Sequence, residues 1–326
     1  MSKLVAAFLL LCLSLWGQDS LLLVLHKGGS SLGFYSQEGK LLTLVPVGKH
    51  PHEMLLSADG RFVYTTDNGT MRIEEPGAGG NTVSIIEVAA RKKIGEISLG
   101  KYHRPHGIDL DRRTGLLAVS CEFPDALLIV DPVKRTVVKV YETKGKTSHM
   151  VKFGPGGARA FVSNSTSNDV ASILLASGEV RSIPVGERPE GSVLSQSGHE
   201  LYVCNREGRT ISVIATAKQA VVAEIPTGNG PVRIGLTPDG KRLVYALLHD
   251  QAIEIADPAA RKVTAQVKLG GQLVSLGISP DGRRALASAE ENDTVYVVSI
   301  PEAKLLRSFK TPPGSRPDPV LEVPAR

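Results

Sequence analysis

The chain has 326 residues, 42% of them hydrophobic and 22% charged, which is enough apolar sequence to bury a substantial core and excludes a disordered protein. Its 38 Lys and Arg residues and 33 Asp and Glu residues are dispersed along the sequence and give a net charge of +5. Aromatic residues make up 5%, too few to favour a stacking surface for nucleic acid, so nucleic-acid binding is the least supported partner class.

The N-terminal residues 1–17 have the pattern of a signal peptide. A lysine precedes the apolar run 4–13, and polar residues follow Gly17, where we expect cleavage. The sequence therefore predicts a periplasmic or secreted protein with one domain over 18–326 and no membrane span after cleavage. The alternative is an uncleaved anchor, because 21–25 is apolar again, but the first run falls short of a membrane span.

A repeated unit fills the rest of the chain. Each copy has a proline or an equivalent residue, an apolar strand, a turn such as Pro-Asp-Gly, and three further strands with polar loops. Most copies are roughly 42 residues apart, a period typical of propeller blades. The first full copy is lengthened by the glycine-rich insertion 71–81. Six full copies begin at Pro51, Pro105, Ser148, Pro189, Pro231 and Leu273.

The two ends of the chain complete one further unit. Residues 21–48 contain a second, third and fourth strand without a first one, and residues 316–323 supply a first strand after the last full copy. We therefore predict an all-β, seven-bladed β-propeller of four-stranded antiparallel blades, closed by the C-terminal strand, which completes blade 1. Such closure leaves no long open sheet edge, and we expect a monomer.

Several segments resemble the YVTN family of β-propeller repeats. They are FVYTTDNG at 62–69, AFVSNSTSNDVASI at 160–173, LYVCNREGRTISVI at 201–214 and the Pro-Asp-Gly turns. The resemblance covers 21–323 and implies the propeller fold. It does not imply one function, because the family includes binding proteins, surface proteins and some enzyme-related propellers.

One position of the repeat is rich in ionisable residues. In propellers the first strand of each blade lies nearest the axis, so the residue after each opening proline, or its equivalent, belongs to a ring around that axis. Five consecutive blades have ionisable residues there and two have valines. In order around the axis this ring contains Asp318, His52, His106, His149, Glu190, Val232 and Val274.

Three histidines beside a carboxylate suit a transition-metal ion. We predict that His52, His106, His149 and Glu190 bind zinc, copper, iron or manganese, for which imidazole and carboxylate are suitable ligands. A histidine beside a carboxylate could equally act as a general base without metal. The structural alternative is that each imidazole is bonded to a backbone carbonyl or to water.

Cationic residues follow the ring positions and the second strands. Arg72, Arg206 and Arg233 could pair with an anionic ligand, and with the ring residues, Asp318 included, they predict a site for a small molecule or a protein partner on the central face. Each arginine singly could instead be a solvated loop charge.

Two further functions are kept as alternatives. The segment from Pro51 to Gly69 is similar to the PH…GRFVYV-D-x-G segment of propeller lactonases and cycloisomerases, which implies an enzyme in which His106, His149 or Glu190 activates water. Topology and export also resemble the haem d1 propellers, which implies a ring histidine as axial ligand. The sequence does not decide whether the protein is an enzyme.

Overall fold

The computed structural model describes residues 20–323, so the predicted signal peptide lies outside the described residues. Within this range, 28 strands form seven four-stranded antiparallel sheets, and each innermost strand contacts the innermost strand of the next sheet around a closed ring. The predicted seven-bladed β-propeller is confirmed. Two 3-10 turns, Pro155–Gly157 and Glu290–Asn292, accompany the strands, and no helix of the described range is long and apolar enough to cross a membrane.

The four strands of each blade follow one another from the axis to the outer edge. Blade 1 contains β28 (Pro317–Val323), β1 (Leu21–His26), β2 (Ser31–Tyr35) and β3 (Leu41–Pro46). Blade 2 contains β4 (Pro51–Leu56), β5 (Phe62–Asp67), β6 (Thr82–Glu87) and β7 (Lys92–Ser98). Blade 3 contains β8 (His103–Leu110), β9 (Leu117–Phe123), β10 (Asp125–Asp131) and β11 (Thr136–Tyr141). Blade 4 contains β12 (Ser148–Phe153), β13 (Arg159–Asn164), β14 (Asp169–Leu174) and β15 (Glu179–Pro184).

Blades 5 to 7 repeat the same order. Blade 5 contains β16 (Pro189–Leu194), β17 (Glu200–Asn205), β18 (Thr210–Ala215) and β19 (Ala220–Pro226). Blade 6 contains β20 (Pro231–Leu236), β21 (Leu243–Leu247), β22 (Ala252–Asp257) and β23 (Lys262–Lys268). Blade 7 contains β24 (Leu273–Ile278), β25 (Arg284–Ala289), β26 (Thr294–Ser299) and β27 (Lys304–Lys310).

The C-terminal strand closes the ring as predicted. β28 pairs antiparallel with β1, with Leu21 opposite Val323 and Leu23 opposite Leu321. Ser20 adds a side-chain hydrogen bond to Glu322, 2.8 Å long. Blade 1 is therefore built from both ends of the described chain, and the inner edge of β1 is paired rather than open.

Buried apolar side chains between neighbouring blades hold the ring together. Successive residues of a strand point to opposite faces, so Leu23 packs with Phe34 and Ile86 between blades 1 and 2, whereas Leu22 packs with Leu286 between blades 1 and 7. Seven such clusters match the seven interfaces between blades. Each blade therefore contributes both of its faces to the core.

Both cysteines of the described region are structural. Cys121 and Cys204 are free and fully buried, as expected from their positions at the ends of apolar strands. Burial raises the pKa of both thiols. They therefore act as small apolar core residues rather than as nucleophiles or a disulfide.

Candidate functional site

A β-bulge aims each ring residue at the axis. The register between the innermost and second strands shifts at the ring position of every blade, for example between Pro51 and Glu53 around His52 and between Ser148 and Met150 around His149. A bulge inserts an extra residue and redirects side chains, and bulges are frequent beside functional sites. A β-bulge at the same repeat position therefore orients the ring residue in all seven blades.

Hydroxyl groups of the second strands fix the ring backbone between blades. Thr66 of blade 2 donates to the carbonyl of His106 of blade 3 at 2.8 Å, and Ser120 of blade 3 donates to the carbonyl of His149 of blade 4 at 2.6 Å. Ser288 of blade 7 makes the equivalent 2.6 Å bond to the carbonyl of Asp318. These bonds satisfy buried carbonyls that the bulges remove from the strand ladder.

His52 is held as a neutral imidazole. Its Nε2 lies 2.7 Å from the carbonyl oxygen of Thr70, which can only accept, so Nε2 carries the proton and Nδ1 keeps a lone pair. Burial, and then the charge of Lys27, lower the pKa of His52 well below its usual value of 6.5. A backbone carbonyl that fixes the tautomer in this way is typical of histidine ligands to metals.

The rings of the three predicted histidines are in contact. The centroids of His52 and His106 are 4.7 Å apart with the rings edge to face, and those of His106 and His149 are 3.6 Å apart. Burial lowers the pKa of His106 well below 6.5, and the neighbouring His149 and His52 lower it further. The Nδ1 of His106 is buried and has no hydrogen-bond partner among the described residues, which leaves a buried polar atom unsatisfied.

His149 is held as an imidazolium between two carboxylates. Its Nδ1 lies 2.8 Å from Oε1 of Glu122, and its Nε2 lies 2.7 Å from Oε2 of Glu190. Burial opposes the charge, but Glu190 and Glu122 outweigh it and raise the pKa of His149 to about 9. Burial also opposes ionisation of Glu190, but His149, followed by Arg206 and Arg233, lowers its pKa to about 2.

One group of these residues has the spacing of metal ligands. His106, Glu122 and His149 each offer one ligand atom, and these three atoms all lie within 4.8 Å of one another. Two imidazoles and a carboxylate suit zinc and other first-row transition metals. In this arrangement Glu122, from the end of β9, occupies the carboxylate role that the sequence analysis gave to Glu190.

The half of the ring away from the histidines contains acidic and apolar residues, and a lysine lies beside it. Nζ of Lys27 donates a hydrogen bond of 2.7 Å to Oε1 of Glu290 and forms an ion pair with Oδ2 of Asp318 at 3.6 Å. Burial raises the pKa of Asp318 to about 7, although Lys27 and Arg233 favour its ionised form. Oδ1 of Asp318 is buried without a hydrogen-bond partner among the described residues, and the next ring position holds Val274.

An ion pair crosses the axis. Nη2 of Arg233 in blade 6 lies 2.8 Å from Oε1 of Glu53 in blade 2, and Nη1 lies 3.7 Å from Glu190. Arg206 also pairs with Glu190, at 3.1 Å. Arg206 and Arg233 are thus both paired with carboxylates of the cluster.

The insertion of blade 2 lies beside the histidines. The guanidinium of Arg104 donates to the backbone carbonyls of Ile73, Glu75 and Gly77, and the carbonyl of Thr70 is the one that binds His52. Glu74 lies 3.6 Å from Arg188 of blade 5. The loop therefore extends from blade 2 past blades 3 and 4. Arg72 is exposed on it and, within residues 20–323, forms no ion pair with a ring residue.

The structure thus brings together His52, His106, His149, Glu190, Arg206, Arg233 and Asp318 and leaves Arg72 apart. Sequence reasoning missed Glu53 and Lys27 as members of the cluster. Glu53 directly follows a ring residue, as Arg233 does, so its position in the repeat was a usable signal. Lys27 directly follows the end of β1, and no equivalent residue in the other repeats indicated that it would join the cluster.

Comparisons with known proteins agree on the fold alone. No protein-family model matches the sequence, and no curated protein matches it. Among solved structures, hydrazine synthase of Kuenenia stuttgartiensis is 21% identical, with a TM-score of 0.71 over 84% of this chain and 90% of that chain. A putative 6-phosphogluconolactonase of Bacteroides fragilis is 16% identical, with a TM-score of 0.75 over 95% of this chain and 99% of that chain.

A third similar structure is dihydro-heme d1 dehydrogenase NirN in complex with DHE. It is 15% identical, with a TM-score of 0.65 over 91% of this chain and 65% of that chain. At these identities the likeness establishes a seven-bladed propeller class that includes lactonase-like and haem-d1-related neighbours. A shared fold at these identities does not determine function.

Proposed function

We propose that the protein binds a divalent transition-metal ion at its central face, through His106, His149 and Glu122, with His52 beside them. The observation that carries this proposal is that His106, Glu122 and His149 each offer one ligand atom within 4.8 Å of the others, and Nδ1 of His106 is also buried without a partner among the described residues. In the tautomer that carries its proton on Nε2, a metal ion would satisfy the lone pair of this Nδ1.

The hydrogen bond between His149 and Glu122 marks where the ion would enter. A divalent cation in the place of that proton would be shared by the imidazole of His149 and the carboxylate of Glu122, with His106 close by. Glu190 would continue to accept a hydrogen bond from the other ring nitrogen and would orient the ring from outside the metal's coordination sphere. Glu190 would therefore orient His149, although the sequence had predicted it as a ligand of the metal.

Calorimetric titration of metal-free, untagged protein with Zn²⁺ tests the proposal. We expect one strong site per chain. His106→Ala and Glu122→Gln each remove one ligand atom and should weaken Zn²⁺ binding by at least about tenfold. Both variants should keep the far-ultraviolet circular dichroism of the parent protein, because the propeller core between the blades is unchanged.

His199→Ala is the matched control. His199 is exposed in the turn between β16 and β17, so its loss also removes an imidazole but should leave the zinc affinity unchanged. Equal affinity in the parent protein, His106→Ala and Glu122→Gln would show that zinc binds elsewhere and would refute the proposed site.

Catalysis on a lactone is the second candidate function. His149 is protonated near neutral pH and the pKa of Glu190 is about 2, so both are poor bases. His106 is neutral and has a ring nitrogen without a hydrogen-bond partner among the described residues, so it could accept a proton from water. Turnover in a lactone panel with and without added Zn²⁺, and its loss in His106→Ala, would support an enzyme. If no lactone were hydrolysed under either condition, lactone hydrolysis would be refuted and metal binding would be the remaining proposed function.

Binding of a haem d1 type cofactor has less support within the ring. His106 has an unpartnered ring nitrogen that could serve as an axial ligand, whereas His149 has both nitrogens engaged by carboxylates. The absorption spectrum of purified protein tests this alternative directly, since a bound haem absorbs strongly in the visible range.

Export and membership of the YVTN repeat family also remain proposals. The pattern of residues 1–17 supports export, and the repeated segments support the family resemblance. Mass spectrometry of the mature protein after expression in a Gram-negative host would show whether the chain is cleaved after Gly17. In that setting the central face would meet periplasmic metals and small ligands.

A further inference from the structure

We propose that the face opposite the histidine ring docks on an anionic lipid bilayer. We call this face the basal face, and define it as the turns that join first to second and third to fourth strands. Because all neighbouring strands of a blade are antiparallel, these turns lie at the end of the propeller away from the ring positions. The ligand site would then open away from the membrane.

Exposed leucines are concentrated at one edge of this face. Among the described residues, five of the ten large hydrophobic side chains that are exposed are leucines of β3 and β27, the outermost strands of the neighbouring blades 1 and 7. Each is between 36% and 45% exposed. No other outermost strand has more than one. We call this set the leucine edge, and it consists of Leu41, Leu42, Leu44, Leu305 and Leu306.

The N-terminal segment joins the protein beside the leucine edge. β1 and β3 run in the same direction, so Ser20, Leu41 and Leu42 lie at the basal end of blade 1. Gln37, in the turn before β3, donates to the backbone carbonyl of Ser20 and accepts from Arg307 of β27. In the uncleaved alternative, the chain before Ser20 includes the apolar run 4–13 and joins the described residues at this end of blade 1.

The basal face is also rich in exposed cations, which an anionic bilayer attracts. Basal turns also carry six exposed carboxylates, Glu38, Asp59, Glu179, Asp239, Asp281 and Glu302, but the 14 exposed basal cations outnumber them. The exposed basal cations come from six blades and are Lys40, Arg61, Lys92, Arg112, Arg113, Lys134, Arg135, Lys218, Lys241, Arg242, Arg261, Lys262, Arg283 and Lys304.

A cleft between blades 6 and 7 could receive a lipid phosphate. It has a volume of about 420 Å³ and is lined by Lys241, Arg242 and Arg283 together with Asp239 and Asp281. Both carboxylates are already engaged by turn hydroxyl and backbone N–H groups. The three cations outnumber the two carboxylates of the cleft, and Lys241, Arg283 and the part of Arg242 that does not bind the carbonyl of Lys241 could pair with a phosphate. Ile300 and Pro301 of the same cleft lead into β27, which carries Leu305 and Leu306.

A fluorescent label on the leucine edge tests the proposal in the full chain. In a Cys12→Ser background, Leu306→Cys provides a surface thiol while Cys121 and Cys204 stay buried. We expect an environment-sensitive dye at position 306 to shift to the blue with vesicles of phosphatidylcholine and phosphatidylglycerol. The shift should weaken with phosphatidylcholine alone and with rising salt. Val222→Cys on the outermost strand of blade 5 is the matched control, because it is 41% exposed but distant from this edge, and should not respond.

Charge variants separate this surface from the N-terminal segment alone. The triple change Lys241→Gln, Arg242→Gln and Arg283→Gln should raise the lipid concentration for half-maximal binding at least about fivefold, whereas Lys49→Gln, Lys101→Gln and Lys146→Gln at the ring-bearing end should not. Equal dye shifts at 222 and 306, or equal losses in both triple variants, would overturn the proposal. Binding to duplex DNA without binding to vesicles would overturn it in favour of a nucleic-acid surface. Zinc affinity should be unchanged throughout.

Discussion

His149 connects the three components of the candidate site at the residue scale. It contacts the ring of His106, shares one hydrogen bond with Glu122 and forms an ion pair with Glu190, which is in turn held by Arg206. A buried imidazolium between two carboxylates is stable only while both partners are present, because an unpaired buried charge is costly. The site is therefore organised electrostatically before any ligand arrives.

The pH dependence of metal-free stability follows from this arrangement. The pKa of His149 rises from 6.5 in the unfolded chain to about 9 in the folded protein, so its stabilising contribution is complete below pH 6.5 and disappears as pH rises through 9. We expect the free energy of unfolding to fall over this window. In His149→Gln the fall should be much smaller. Urea unfolding at pH 6, 7.5 and 9 measures the difference.

Asp318 provides a control for the His149 prediction, because it should affect the free energy of unfolding at lower pH. Burial raises its pKa from 3.8 to about 7, so the folded state holds this proton more tightly and loses stability as pH rises from 3.8 through 7. Asp318→Asn should therefore flatten the slope between pH 4 and 7 and leave the slope between pH 7 and 9 in place. A slope above pH 7 that survives in His149→Gln would contradict the assigned imidazolium.

At the scale of single elements, the innermost strands decide how closely the blades approach the axis. Gly277 of β24 lies against β28, and a Cβ atom at this position would stand 2.2 Å from the carbonyl oxygen of Val320. Real side chains do not tolerate such a distance from backbone, so glycine is required where blade 7 meets the closing strand. The closure of the ring therefore depends on a missing side chain as well as on strand pairing.

Gly277→Ala should weaken the closure. Forcing a methyl group against β28 should lower the free energy of unfolding by about 1–3 kcal/mol, and the thermal midpoint should fall accordingly. Gly270→Ala is the control, since a Cβ atom there would meet only the hydroxyl of Tyr296, at 3.0 Å. Equal stability of both variants and the parent, measured by calorimetry, would show that β28 moves without cost and that its packing is not what closes the ring.

The architecture of the whole molecule could be predicted because it repeats. Turn residues and strand patterns recur in six copies, and the missing first strand of blade 1 could be matched to 316–323, so fold, closure and ring positions all followed from the sequence. Repeats do not indicate which residues contact each other across the axis. The Arg233–Glu53 pair joins blades 6 and 2, whose separation in the sequence gives no local signal.

The division of roles within the ring could not be predicted for the same reason. The sequence placed Glu190 with the histidines, but only the structure shows that Glu122 reaches the opposite side of His149 from the end of a neighbouring strand. Burial and the surrounding carboxylates then determine which imidazoles are neutral and which is charged. These are properties of the assembled ring rather than of any single blade.

X-ray absorption spectroscopy of the zinc-loaded protein tests the central claim most directly. We expect a coordination shell of nitrogen and oxygen atoms at about 2.0–2.1 Å, with the outer scattering of two imidazoles. The scattering of one imidazole should be lost in His106→Ala and retained in His199→Ala. A zinc spectrum without imidazole scattering, or one that His106→Ala leaves unchanged, would contradict a metal site at the histidine ring.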